Sequence, residues 1–480
     1  MGAISAIRTR SGLDSTRLIV KMVESQKHRG RDAFGVATSK ESIFTSRLSD
    51  LGEMQSTNSA VAYNLMRLEP NDPPQPGEAG GYHVIVESDY SGFTGSHNEL
   101  LDLLASETPE RSLTKFVTEF DGQYVLVVLK GEEIYAARDP VGLKPLYYSS
   151  NSEFAAISTE RKALWKLGAK SVKIFPPGHL WRLQQGETPR PVRLISRVSI
   201  SDEREAEISE RLRGLLSKAV SERISGSKRV GVSFSGGLDS SITAHLLSRL
   251  DINPLALIVG VRGSPATEWA KEAADLLGIE AKGQEYEKED VQETLRTCIW
   301  RTEEANPVKL GVAIPLRWCA DLAQSIAVST VFTGQGADEL FGGYHRFLQV
   351  LHKGGQGALE EAIFESVRDA HATSYNVGEQ ATAPEGVRMI HPFTDWELIR
   401  LGLSIPAGMK IRDPWDGLRK RILRKTAMEM GLPRRLADVP KKAMQYSTGV
   451  DRCLKTLAMS TGLQTAAYLN TVFADTFKTF

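Results

Sequence analysis

The chain has 480 residues, and its 59 lysines and arginines balance 59 aspartates and glutamates, so the formal net charge is zero. That balance argues against a protein that binds nucleic acid or a membrane surface through bulk charge. Three cysteines without a CxxC pair, and apolar runs shorter than the ~20 residues of a membrane span, argue against a disulfide framework, a cysteine zinc site and a membrane protein.

The length suggests two domains, since a typical domain has ~100–200 residues. The N-terminal part contains short apolar runs that predict β-strands, at 82–88, 122–129 and 133–139. A polar stretch with glycine and proline at 184–203 precedes an amphipathic helix predicted at 211–220. We therefore predict domains at 1–190 and 205–480. The first residues have too little apolar length for a signal peptide, so we expect a cytoplasmic protein.

A glycine-rich loop follows a strand predicted at 228–234 and precedes a helix predicted at 239–250. The run 233–241 reads SFSGGLDSS. Glycines there permit close backbone approach to an anion, serine hydroxyls donate hydrogen bonds, and the start of a helix attracts phosphate. The phosphate-binding residues predicted on these grounds are Ser235, Gly236, Gly237 and Ser240. The GxxxxGK(S/T) pattern is absent, so transfer of a γ-phosphoryl group is not the predicted reaction.

A second glycine-rich segment, at 331–347, reads VFTGQGADELFGGYHRF and carries two adjacent acids. If its apolar start is a strand of the same parallel sheet, the two loops meet at the carboxyl ends of their strands. Asp239 and Asp338 could then hold Mg²⁺ against pyrophosphate, although acids in a first helical turn also favour the helix dipole. Backbone groups near strand ends are the expected adenine contacts, with plain strand packing as the alternative for each: Val232, Ser233, Val259 and Gly334.

Together the two loops resemble those of the asparagine synthetase family, whose synthetase domain carries SGGLDSS and then a GEGADELFGGY-type loop. The resemblance covers nearly the whole chain. It includes class II glutaminase stretches at 28–35 (HRGRDAFG) and 137–148 (ARDPVGLKPLYY), and C-terminal helices at 391–398, 410–436 and 440–449. It implies an N-terminal Ntn-type α/β/β/α sandwich, followed by an α/β parallel-sheet ATP-pyrophosphatase domain with a helical C-terminal part.

The resemblance also implies the chemistry, that of an ATP-dependent carboxylate–amine ligase with ATP and Mg²⁺ as cofactors. A small-molecule carboxylate attacks the α-phosphate, pyrophosphate leaves, and ammonia or another amine displaces AMP from the acyl-adenylate. Lys441 matches the lysine of the family's RPK-type segment, which implies a place beside the α-phosphate, with its neighbour Lys442 as the alternative. Most members of the basic run 419–425 (RKRILRK) are predicted to lie on a solvated helix face. Some of them could instead face the triphosphate, and a tRNA or carrier-protein surface is the weaker alternative.

Two of the departures from the family pattern bear directly on the nitrogen source and the catalytic base. A class II glutaminase needs cysteine directly after Met1, and here that residue is Gly2, so the N-terminal domain is predicted to be inactive. Nitrogen is then expected from free ammonia, a substrate amine or a separate amidase. Gln335 replaces the glutamate of GEGADE and cannot act as a base, which leaves Glu304 and Glu339 as candidates. Alternatively, Gln335 keeps the hydrogen bonding and ammonia arrives unprotonated.

Substrate and partners stay open at this level. Aspartate is the default carboxylate, but a specialised lactam- or amide-forming ligase would keep both loops and use an organic amine or another carboxylate. A tRNA-modifying pyrophosphatase shares only the first loop, and a non-catalytic partner protein would need neither. Nucleic acid is therefore not an expected partner, and a homodimer is left open.

Overall fold

The computed structural model describes residues 2–10, 12–68, 72–88, 93–224 and 229–478, with the backbone alone for 93–98. The chain divides into two compact units, Met1–Ile195 with Lys478–Phe480, and Ser196–Phe477. Within the described ranges we find no helix with the length and apolar character needed to span a membrane.

The first unit is built on two antiparallel sheets. The strands described in it are β1 (Gly2–Thr9), β2 (Ala33–Thr38), β3 (Ser42–Thr45), β4 (Ser59–Leu65), β5 (Gly77–Ala79), β6 (Tyr82–Ser88), β7 (Tyr124–Lys130), β8 (Glu133–Arg138), β9 (Tyr147–Ser150), β10 (Phe154–Ser158), β11 (Lys173–Ile174), β12 (His179–Arg182) and β13 (Arg190–Pro191). They form sheets of order β11-β9-β10-β1-β4-β2-β3 and β13-β12-β8-β7-β6-β5. The accompanying helices are α1 (Ser15–Ser25), α2 (Phe93–Ser106), α3 (Pro109–Glu119) and α4 (Arg161–Trp165).

The core of the first unit lies between its two sheets. Apolar side chains from both sheets, among them Ile4, Val61, Val127 and Trp181, form one buried cluster. Helices α1 and α4 pack on the outer face of the first sheet, and α2 and α3 on that of the second. Because both faces of each sheet are covered, strands such as β4 are buried along their whole length. This arrangement confirms the predicted α/β/β/α sandwich.

The second unit contains a five-stranded parallel sheet and continues mainly in helices. Its strands are β14 (Arg229–Ser233), β15 (Asn253–Val261), β16 (Glu280–Tyr286), β17 (Thr330–Phe332) and β18 (Arg388–Ile390), in the order β16-β15-β14-β17-β18. The described helices are α5 (Glu205–Ser221), α6 (Leu238–Leu247), α7 (Pro265–Leu277), α8 (Lys288–Thr302), α9 (Pro307–Ser325), α10 (Ala337–Phe341), α11 (Arg346–Arg368), α12 (Asn376–Thr382), α13 (Trp396–Ser404), α14 (Ala407–Lys410), α15 (Arg421–Glu429), α16 (Arg434–Ala437), α17 (Met444–Ser447), α18 (Val450–Ser460) and α19 (Thr465–Thr476). The predicted strand at 228–234 and helix at 239–250 correspond to β14 and α6, and Lys228 lies outside the described residues.

A lysine is buried in the second unit without a salt bridge. Lys410 ends helix α14 and is 2% exposed, and its ammonium group has no ion pair or hydrogen bond among the described residues. Burial lowers the pKa of this ammonium group to about 7, because Glu360 restores only part of the lost charge stabilisation. The unfolded chain therefore binds more protons than the folded one between pH 7 and about 10.

Stability is accordingly expected to rise with pH across that window. Below pH 7 the whole penalty of the buried ammonium is present in the free energy of unfolding. Deprotonation at higher pH removes this penalty, which is on the order of 4 kcal/mol. Lys410→Met should unfold at higher urea concentration than the wild type at pH 7, with the difference shrinking towards pH 10. The exposed Lys353→Met on α11 is the control. A pH-independent difference between Lys410→Met and the wild type would contradict this account.

Candidate active site

The two glycine-rich loops leave neighbouring strands at the same edge of the parallel sheet. Strands β14 and β17 pair in parallel, with Gly231 opposite Val331, so both chains reach their loops side by side. The loops touch at Gly334, where an added Cβ would lie 2.5 Å from the Asp239 Cβ and 3.1 Å from the Ser240 nitrogen. Only glycine permits this approach.

The first loop is held by its own hydrogen bonds in a tight turn before a helix. Gly236 has a φ of +66°, and its carbonyl accepts a hydrogen bond of 2.9 Å from the Trp269 indole. The Ser235 hydroxyl accepts from the Gly237 N–H at 3.3 Å and lies 3.2 Å from the Ser240 hydroxyl. Helix α6 begins directly after Gly237, so its first N–H groups face the loop.

Two aspartates and two lysines converge beside these loops. The Lys420 Nζ lies 2.7 and 2.6 Å from the two carboxylate oxygens of Asp239, and 2.6 Å from the Asp338 Oδ1. The Lys441 Nζ lies 2.6 Å from the Asp338 Oδ2 and 3.9 Å from the Asp239 Oδ2. We refer to Asp239, Asp338, Lys420 and Lys441 as the aspartate–lysine cluster. Each acid of the cluster contacts both lysines.

Within the cluster, the ion pairs favour the charged forms of Asp338 and Lys441. Burial alone would raise the pKa of Asp338, but the ammonium groups of Lys420 and Lys441 outweigh it and hold that pKa well below its ordinary value. Burial opposes the charge on Lys441, but Asp338 and Asp239 raise its pKa. Lys441, not Lys442, is thus the lysine that the structure brings to the predicted carboxylates.

The carboxylates of the cluster suit a cation that also binds phosphate. Among the described residues no three His, Cys, Asp or Glu side chains are grouped as metal ligands. Two carboxylates are nevertheless a normal protein contribution for Mg²⁺, which takes its other ligands from water and substrate phosphates. Asp239 and Asp338 fit that donor set, and the two lysines beside them fit the phosphates' negative charge.

Lys420 is the cluster member that the sequence interpretation missed. The basic run predicts a solvated helix face for most of its members, and Lys420 is an exception, because its side chain is 2% exposed and paired with both aspartates. The exposed Arg421 in the same run does match the interpretation. Lys420 stands just before helix α15 with a φ of +52°, a left-handed conformation that turns it out of the helical pattern. The only signal was the density of basic residues.

Gln335 and Glu339 belong to one hydrogen-bonded network. The Gln335 Nε2 donates to the Ser374 carbonyl at 2.8 Å, and the Ser374 hydroxyl donates to the Glu339 Oε1 at 2.8 Å. The Tyr344 hydroxyl donates to the same Glu339 oxygen at 2.7 Å. Burial and the nearby Asp338 charge raise the pKa of Glu339. Gln335 thus acts at this position as an amide N–H donor.

The other predicted residues have simpler surroundings. Glu304 forms a salt bridge with Lys309, with 2.8 Å between the Lys309 Nζ and the Glu304 Oε1. Neither residue is a member of the aspartate–lysine cluster. Val232 is buried in β14, Ser233 ends that strand, and Val259 lies inside β15 opposite Gln284. The side chains of both valines pack into the core, and Val232 pairs with neighbouring strands on both sides.

In the first unit, no space exists for a side chain at position 2. A Cβ on Gly2 would lie 2.0 Å from the Asn64 carbonyl oxygen and 2.8 Å from the Tyr63 hydroxyl. The Tyr63 hydroxyl donates to the buried Glu87, which also faces Lys144 at 3.3 Å. Burial would raise the pKa of Glu87, but Lys144 and the Tyr63 hydrogen bond help lower it to about 2.

Comparisons with known proteins agree with this geometry. The asparagine synthase family model matches residues 211–379 and 352–476, and the glutamine amidotransferase domain model matches 84–166. A Methanocaldococcus jannaschii protein provisionally named as a glutamine-hydrolysing asparagine synthetase is 26% identical over 96% of this chain and 96% of its own length. The asparagine synthetase of Sandersonia aurantiaca is 30% identical over 69% of this chain and 64% of its own, and asparagine synthetase 3 of Arabidopsis thaliana is 28% identical over 69% and 58%.

The sheet, its paired loops and these matches place the chain among the ATP-dependent carbon–nitrogen ligases. More narrowly, it belongs to the asparagine synthase family, whose model spans more than half of its length.

Proposed function

We propose that this chain activates a small-molecule carboxylate with ATP and Mg²⁺ as an acyl-adenylate and then transfers the acyl group to ammonia. The observation that carries the proposal is the aspartate–lysine cluster at the ends of the two paired loops. Aspartate is the default carboxylate. The proposed domains are an inactive glutaminase-like domain at 1–190 and a synthetase-type domain at 205–480.

Each group of the cluster has a role in the first half-reaction. Asp239 and Asp338 would hold Mg²⁺, which neutralises charge on the departing pyrophosphate. Lys420 and Lys441, released from the acids by that exchange, would bind phosphate oxygens and stabilise the charge that develops at the α-phosphate. Ser235, Gly237 and the start of α6 would donate to the pyrophosphate.

The second half-reaction would use an amine that arrives neutral. Gln335 donates to Ser374 and carries no proton-accepting charge, while Glu339 already accepts two hydrogen bonds on Oε1. The nitrogen lone pair attacks the acyl carbon, the bond from that carbon to the phosphate oxygen breaks, and AMP departs with the surplus proton on its phosphate. Free ammonia is the proposed nitrogen source, since the space at Gly2 excludes a nucleophilic side chain.

A ligase for an organic amine is the second candidate. The same two observations favour it, because neither the Gly2 site nor Gln335 is specific to ammonia. Pyrophosphate release from ATP, measured with aspartate and a panel of other carboxylates, and with ammonia, glutamine or no nitrogen source, separates the two. Ammonia-dependent formation of asparagine supports the first candidate, and turnover without ammonia supports the second. The absence of pyrophosphate release with every carboxylate would contradict both candidates.

Gln335→Glu is expected to lower amine transfer about tenfold, because a carboxylate cannot donate to the Ser374 carbonyl and would add a charge to the network that holds Glu339. The measurement is kcat/KM for ammonia between pH 7 and 9, expressed per concentration of free base. The exposed Gln356→Glu on α11 is the control for added charge. A faster Gln335→Glu variant would mean that the site needs a carboxylate base after all.

A further inference from the structure

Arg424 lies in helix α15, and its guanidinium group is turned onto four backbone carbonyls. The residue is 4% exposed. Its Nε donates to the Arg419 carbonyl at 2.7 Å, and its Nη2 donates to the Leu418 carbonyl at 2.5 Å. Its Nη1 donates to the carbonyls of Ala437 and, at 3.0 Å, Val439. Arg424 is therefore a second exception to the solvated helix face that is predicted for most of this run.

The four carbonyls belong to two segments, and each segment leads into a lysine of the aspartate–lysine cluster. Arg419 immediately precedes Lys420, and Val439 stands two residues before Lys441. A planar guanidinium presents five donors in a fixed geometry, so one side chain can hold both segments at a set separation.

The first of these segments needs such support. Arg419 and Lys420 have φ values of +53° and +52°, in the left-handed region that residues with a side chain rarely adopt. The Asp416 Oδ1 accepts hydrogen bonds from the N–H groups of Leu418 and Arg419, at 3.2 and 3.0 Å. Arg424 donates to the carbonyls of the same two residues. Buried side chains therefore hydrogen-bond both the N–H and the C=O groups of this turn.

We propose that Arg424 is a positioning residue of the nucleotide site, which fixes both segments so that the ammonium groups of Lys420 and Lys441 converge on the same phosphates. The role of the lysines rests on the proposed function, whereas their placement is testable without turnover. Charge alone is not the relevant property, because a lysine at position 424 could not reach four carbonyls.

The first test measures the reactivity of lysines in the full chain by acetic anhydride labelling and mass spectrometry. In Arg424→Met and Arg424→Lys, labelling of Lys420 and Lys441 should rise about tenfold, because both are released locally. Labelling of Lys162 and Lys410, which are buried elsewhere, should stay at the wild-type level.

Arg223→Met is the matched control, since Arg223 is a buried arginine that donates to the Ala219 carbonyl and to Asp395. It should leave the labelling of Lys420 and Lys441 unchanged. Wild-type labelling of both lysines in the Arg424 variants overturns the proposal. An equal rise at Lys162 and Lys410 also overturns it, because the effect would then be general unfolding.

The second test uses activity. Arg424→Lys should lower kcat/KM for ATP about 100-fold while leaving KM for the carboxylate unchanged, since only the phosphate contacts are displaced. Added guanidinium should restore activity to Arg424→Ala but not to Lys420→Met. Wild-type kcat/KM for ATP in Arg424→Lys overturns the proposal. If labelling changes as expected while the wild type splits no ATP with any carboxylate, the positioning stands and the proposed function fails.

Discussion

Replacing Asp338 with asparagine is expected to lower carboxylate-dependent pyrophosphate release at least about 100-fold. The substitution removes one of the two proposed Mg²⁺ ligands and leaves the Lys441 ammonium without its 2.6 Å partner. Asp239→Asn should act in the same direction. The measurement is the initial rate of pyrophosphate release at varied Mg²⁺ and ATP, and we expect the lost activity to persist at saturating Mg²⁺.

The control for this loss is another acid held by two cations in the same unit. Glu385 lies 2.6 Å from Arg301 and 3.3 Å from Arg317, and its side chain is about as buried as that of Asp338. Glu385→Gln should reduce stability by a few kcal/mol, as the loss of a buried ion-pair partner does, while activity per folded molecule stays at the wild-type level. Activity of Asp338→Asn within twofold of the wild type would remove the magnesium assignment.

Restoring cysteine at position 2 is expected to give no glutaminase activity and a less stable first unit. The side chain would collide with the Asn64 carbonyl at 2.0 Å, and backbone atoms cannot move aside as a flexible side chain can. We expect a destabilisation of at least about 1–3 kcal/mol, the usual range for overpacking. Glutamate release from glutamine and thermal unfolding are the two measurements on Gly2→Cys.

Gly52→Cys is the matched control for that variant. Gly52 lies in the same unit, and a Cβ there would meet nothing within 4 Å, so this cysteine should leave the unfolding temperature nearly unchanged. Glutamine hydrolysis by Gly2→Cys, at an unchanged unfolding temperature, would contradict the account. It would mean that only the nucleophile is missing and that the position is open in solution.

The location of the site could be predicted from the sequence because its two loops carry local signals. Each loop combines an apolar run, glycines and helix-favouring residues within a short stretch, which is enough to predict a strand, a turn and a helix. Parallel pairing then requires the loops to leave the same sheet edge, and β14 and β17 are direct neighbours. The meeting of Asp239 and Asp338 follows from this topology.

The remaining contacts of the site depend on tertiary structure. Lys420 reaches Asp239 across 181 positions of the sequence, from a left-handed turn that its basic neighbours do not indicate. Its proposed positioning by Arg424 depends on backbone carbonyls. Every residue has such a carbonyl, so the sequence gives no signal for this contact. The obstruction at Gly2 likewise comes from Asn64 and Tyr63 on a neighbouring strand.

The two units differ in whether they retain the groups that their proposed reactions need, and this difference bears on the nitrogen source. In the second unit, the loops and the aspartate–lysine cluster bring together the groups that we propose bind ATP and Mg²⁺. In the first unit, Glu87 accepts a hydrogen bond from Tyr63 and pairs with Lys144, beside a backbone position where a Cβ would collide with Asn64. We therefore expect that glutamine does not replace ammonia in assays of this chain alone.

The most direct test of the central claim is the fate of carboxylate oxygen during turnover. The carboxylate that gives the fastest pyrophosphate release is supplied with ¹⁸O, and the nucleotide product is analysed by mass spectrometry. We predict AMP that carries one ¹⁸O atom from the carboxylate, because the acyl-adenylate breaks between carbon and the phosphate oxygen. Unlabelled AMP, or ADP with inorganic phosphate, would contradict the account.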